Sequence, residues 1–113
     1  MRQTDLSYEE LVSILADPQR NGREEPACFF LNEMGGILLE GNKDADRAGT
    51  YLLEVLEQED EAAKFIALCY LIIAPTVYEY VNQKLQQFVD EPRNEEIVTR
   101  ARRATSCHSG GIG

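Results

Sequence analysis

Apolar residues return every three or four positions along nearly the whole chain, the spacing of one face of an α-helix. Leu11, Ile14 and Leu15 form the first stripe and predict a helix over Tyr8–Ala16. Ser7-Tyr8-Glu9-Glu10 opens it in capping-box form: the serine oxygen accepts from the third amide and the glutamate reaches back. Asp17-Pro18 stops it, because a residue before proline avoids the helical region. A polar loop follows, with the turn pair Asn21-Gly22. The second helix starts around Pro26 and carries Ala27, Phe30, Leu31, Met34, Ile37 and Leu38. Gly35-Gly36 lies inside it. Phe30, Met34, Leu38 and Gly41 continue one face across the pair, so the glycines predict close packing by a neighbour and not a break. Gly41-Asn42 ends this element.

The third helix runs from an N-cap at Asp44 to Gln58, with Ala45, Ala48, Leu52, Val55 and Leu56 inward and Gly49 within it. Asp60 caps the fourth, which reaches Ala74 and is apolar on nearly every side. Such a helix is expected at the buried centre, with Lys64 and Tyr70 as its polar handles. Thr76 to Glu79 forms a second capping box. The fifth helix then carries Val77, Val81, Leu85, Phe88 and Val89, and Glu91-Pro92 ends it. Asn94 caps a sixth helix from Glu95 to about Thr105, with Ile97, Val98, Ala101 and Ala104 inward. No strand pattern appears. The expected architecture is all-α: about six helices as three stacked antiparallel helical hairpins over residues 1–105, with a flexible tail over 106–113.

The 113 residues include 20 acids and 11 bases, a net charge of −9. Nearly all the acids precede Pro92. The stretch 93–113 is basic on balance, with Arg93, Arg100, Arg102 and Arg103 against Glu95 and Glu96. An acidic body repels phosphate backbones, so nucleic acid is not the expected partner. The longest apolar run, Phe65 to Ala74, stops well short of the ~18 residues a membrane helix needs. No secretory signal is read in the first residues, and the 3 cysteines are widely spaced and odd in number. A reduced, cytoplasmic protein without a disulfide framework is expected.

The odd-numbered helices share a phrase. Leu11 to Asp17, Leu52 to Gln58 and Leu85 to Glu91 each pair a leucine with an aliphatic residue one helical turn on, followed by an acid and a turn. The even-numbered helices rhyme too, in Ala62 to Ala67 and Glu96 to Ala101. Over roughly residues 7–105 this resembles a HEAT-type α-solenoid repeat. The Leu52 to Ala74 unit fits best, with Lys64 where that family often has a base. The Leu11 to Leu39 unit departs most, through its longer loop and paired glycines. An irregular six-helix bundle without repeats is the alternative.

Candidate chemistry is sparse. The one histidine, His108, lies beside Cys107 in the glycine-serine tail, where two ligands do not build a metal site. Cys69 sits in the most apolar helix, Cys28 has no second histidine as a base, and Gly35-Gly36 lacks the lysine of a phosphate loop. No catalytic residue, metal or cofactor is assigned.

The expected function is a non-enzymatic protein–protein interaction module. The resemblance implies that the second helix of each pair lines an inner, partner-binding face. Its candidate residues are Asn32, Glu33, Lys64, Tyr70, Arg100 and Arg103. One alternative is a small acidic immunity- or inhibitor-type protein that masks a basic partner. A third is a HEAT-like lyase. Self-association has one electrostatic route, the basic sixth helix of one copy against the acidic Glu57 to Glu61 link of another.

Overall fold

The computed structural model describes residues 3–74 and 78–110, the side chains of 107–110 excepted. Among the described residues lie six α-helices and no strand. They are α1 (Tyr8–Ala16), α2 (Ala27–Glu40), α3 (Ala45–Val55), α4 (Glu61–Ile73), α5 (Glu79–Asp90) and α6 (Glu95–Gly110).

Local chemistry sets most of the ends. Glu10 N donates to Ser7 Oγ at 3.1 Å and Ser7 N donates to Glu10 Oε1 at 2.8 Å, which closes the capping box. Asp60 Oδ1 accepts from Ala62 N and Ala63 N at 3.0 and 3.2 Å and caps α4. A side-chain cap of this kind contributes about 1 kcal/mol. Asp17 ends α1 and orders the next turn, accepting from Gln19 N at 3.0 Å and Asn21 N at 2.9 Å. These two amides hold its carboxyl below the usual carboxylate range. Arg47 then ties α1 to the start of α3. Its Nη2 donates to Glu9 at 2.6 Å and Asp44 at 2.5 Å, and its guanidinium lies 4.3 Å from the Tyr8 ring centroid.

Other ends differ from the expected ones. Pro26 stands at the cap position of α2, outside the helix. α3 stops at Val55 because the chain tightens: Glu57 N donates to Glu54 O at 3.0 Å and Gln58 N to Val55 O at 3.1 Å. Asp44 makes no side-chain cap, since its carboxylate goes to Arg47. Asn94 turns back instead, donating from Nδ2 to Phe88 O at 3.0 Å. α6 continues past Thr105, whose hydroxyl is buried and donates to Ala101 O at 2.9 Å from within the helix. The Thr76–Glu79 capping box includes residues outside those described; α5 itself starts at Glu79 with Tyr78 before it.

α2 is the enclosed helix. Phe30, Leu31, Met34, Ile37 and Leu38 are buried, as are Glu33, Gly35 and Gly36. It packs on α1, α3 and α4. α4 packs on α2, α3 and α6, while α3 packs on α5. The second helices α2, α4 and α6 therefore form one row, beside which the first helices stack. The last pair is the loosest, because α6 leans on α4 more than on α5. The radius of gyration is 13.8 Å, near the ~13 Å of a chain this long.

The expectation that α4 is sealed at the centre is corrected by these contacts. Ala63, Ala67, Leu68 and Leu71 are buried. Phe65, Ile66, Cys69, Ile72 and Ile73 are only half-buried, because the neighbouring helices cover one side of α4 and leave the other partly open.

Gly35 marks a close approach, as expected, and Gly49 marks a second one. A Cβ on Gly35 would fall 2.3 Å from Tyr70 Cγ, so the tyrosine ring stands where a side chain would be. A Cβ on Gly49 would fall 3.1 Å from Val81 Cγ2, which brings α3 near α5. Gly35→Ala is expected to lose about 1–3 kcal/mol through overpacking, seen as an earlier midpoint in denaturant. Combined with Tyr70→Ala it should lose less than the two single changes together, because the methyl then enters the space the ring has left.

Candidate functional site

The six candidate residues separate into three places. Asn32 and Tyr70 come together across the α2–α4 seam. Tyr70 Oη donates to Asn32 Oδ1 at 2.8 Å, and Asn32 Nδ2 donates to Cys28 O at 2.9 Å. Burial pushes the Tyr70 hydroxyl up in pKa, with the nearby charges of Glu33 and Cys69 adding to it. Arg100 and Arg103 lie on α6, both exposed. The Arg100 guanidinium sits 5.2 Å from the Phe65 ring centroid and so joins α6 to α4.

Between these two contacts runs the open side of α4. Ile66, Cys69 and Ile73 follow one another at three-four spacing there. Tyr70 borders this stripe towards α2, and Phe65 borders it towards α6. Burial pushes the Cys69 thiol up in pKa, which makes it a poorer thiolate source at neutral pH. The face of the second helices is thus an apolar stripe with an amide–phenol pair at one edge and an arginine–aromatic pair at the other.

Glu33 does not share this face. It is 3% exposed, with its carboxylate turned inward. Oε2 accepts from Gln3 N at 3.0 Å, and Oε1 accepts from Thr4 N at 3.2 Å and from the Thr4 hydroxyl. The candidate partner-binding residue is therefore an anchor for the N-terminal segment. A buried carboxylate needs such donors. One sequence signal pointed this way: Glu33 falls on the same helix face as Phe30 and Ile37.

Lys64 lies elsewhere again. Its side chain is 18% exposed and pairs with Glu61 at 3.3 Å. It helps line a groove of about 1000 Å³ between the C-terminal end of α3 and α5. Six acids line this groove: Glu54, Glu57, Glu59, Glu61, Asp90 and Glu91. Three bases oppose them, Lys64, Lys84 and Arg93. Arg93 pairs with Glu91 at 3.4 Å. Among the described residues, Glu54, Glu57 and Glu59 form no ion pair. Tyr80 stands at the groove 55% exposed, with Lys84 Nζ 5.8 Å from its ring centroid. Sequence spacing does not reveal this groove, because α3 and α5 are brought together by packing between distant parts of the chain, closely so at Gly49.

Among the described residues, no three His, Cys, Asp or Glu side chains converge as a metal site would require. Cys107 and His108 lie outside the described side chains. Among the described residues, no helix is long and apolar enough to cross a membrane. No protein family, no curated protein and no solved structure matches this chain.

Two measurements test this geometry. Glu33→Ala is expected to cost about 1–3 kcal/mol, because it strips the acceptor from donors that are partly buried. Hydrogen exchange at the Gln3 and Thr4 amides should speed up sharply in this variant. The second measurement concerns Tyr70, which the fold keeps protonated longer than an ordinary tyrosine. Its contribution to stability is complete below the unfolded value of about 10 and is lost as pH rises through the folded value. In an ultraviolet titration, Tyr70→Phe should remove part of the late-rising tyrosinate signal and leave the early part unchanged.

Proposed function

We propose that this chain is a non-enzymatic protein-binding module that engages its partner through the face of α2, α4 and α6. The carrying observation is the half-buried apolar stripe Ile66–Cys69–Ile73, on a helix whose other side is fully packed. Each Å² of apolar surface left in water forgoes about 25 cal/mol that a partner would recover. Leu39 of α2 is a further exposed apolar side chain, at 38%. Asn32, Tyr70, Arg100 and Arg103 supply a polar rim, the usual setting of such a surface. The side-by-side row of second helices supports a HEAT-like solenoid origin for the arrangement. The partner is sought in the cytoplasm, where free Cys28 and Cys69 stay reduced.

A second reading, of a small acidic protein that covers a basic partner, is favoured by one feature: the groove glutamates 54, 57 and 59 that no described cation neutralises.

The first reading is tested with a photo-reactive residue placed at Ile73 and, as a control, at Glu9 on α1. Expressed in host cells, the Ile73 probe should cross-link to one protein and the Glu9 probe should not. Ile66→Gln with Ile73→Gln should abolish that capture while the helical circular dichroism signal persists. Capture that survives the double change removes this face from the assignment.

A further inference from the structure

We propose that the groove between α3 and α5 receives an arginine-rich segment of another protein. This rests on the reading of an acidic protein that covers a basic partner, and names its site and the chemistry it selects. The groove has the volume of a binding cleft, about 1000 Å³. Its charges do not balance, and two of its three bases are already committed to Glu61 and Glu91. Glu57 and Glu59 are exposed on the tight turns after α3, so guanidinium groups reach them without displacing a partner. A guanidinium binds a carboxylate through two parallel hydrogen bonds, which an ammonium does not.

The second feature is aromatic. Lys84 lies near the Tyr80 ring, yet the residue remains more than half exposed. A planar guanidinium stacks on such a surface better than a hydrated ammonium does. Carboxylates and an open ring in one groove therefore select arginine over lysine, which charge alone does not. The net charge of −9 also speeds the approach of a basic partner and disfavours a second copy of this chain as occupant.

The test is fluorescence anisotropy with the full chain and two labelled probes, an arginine–serine repeat peptide and its lysine–serine counterpart. The arginine peptide is expected to bind more tightly. Glu57→Gln with Glu59→Gln should weaken it about tenfold. Glu24→Gln with Asp46→Asn, which removes equal charge outside the groove, should change it less than about twofold. Tyr80→Ala should bring the two peptides close to equal affinity. Circular dichroism confirms that each variant folds.

Equal losses from the two acid-to-amide pairs would overturn the site and leave the basic-partner reading standing. Arginine preference unchanged by Tyr80→Ala would likewise overturn it. No binding of either peptide to the unmodified chain would remove both the site and that reading. A self-associated chain that Arg102→Ala with Arg103→Ala returns to monomer would overturn the proposal in favour of a second copy in the groove.

Discussion

The structure depends on how closely α2 and α4 approach. α2 is enclosed by α1, α3 and α4, and carries the longest run of buried residues among those described. A side chain at Gly35 would collide with the Tyr70 ring, so the missing Cβ sets the spacing of the seam. The ring fills the gap and its hydroxyl donates to Asn32 Oδ1 at 2.8 Å, a polar tie across the seam. One glycine and one tyrosine thus shape the seam together. Interiors packed this tightly tolerate little volume change.

The open side of α4 follows from this seam. Ala63, Ala67 and Leu71 of α4 face the core, while Ile66, Cys69 and Ile73 stay half-buried at its edge. α6 packs along the flank of α4 through Ile97, Val98 and Ala101, with Arg100 over Phe65. Among the described residues the stripe stays partly open. In a stack of helix pairs each second helix buries its flanks against its neighbours and leaves its outer edge free. Where that edge is apolar, folding leaves part of the hydrophobic driving force unused, and it remains available for association.

Much of this was legible beforehand, and the misses share a physical cause. The caps at Ser7 and Asp60 are local, since donor and acceptor lie within three residues, and spacing reveals them. The glycines announced a close approach but not the ring that makes it, because Tyr70 is distant in sequence. α4 was misplaced because hydrophobic content alone does not separate a buried helix from one with a free apolar edge. α2, with its two glycines and a glutamate, is the enclosed helix instead. Glu33 was misjudged for the same reason. A buried carboxylate depends on donors from Gln3 and Thr4, about which the helix around it carries no information.

The two candidate surfaces differ in their chemistry. The α4 stripe is apolar, and its attraction for a partner is insensitive to salt. The groove is acidic on balance, with six acids against three bases. Glu54, Glu57 and Glu59 lie within a short stretch of chain and line the groove together with Asp90 and Glu91. Like charges so placed cost folding energy unless a cation joins them. Lys64 and Arg93 relieve part of this cost from within, at contacts of 3.3 and 3.4 Å. The remainder is energy that a basic partner would release on binding, through screened and therefore salt-sensitive contacts. Ionic strength would thus separate the two proposed surfaces: raising it would weaken capture at the groove and spare capture at the α4 stripe.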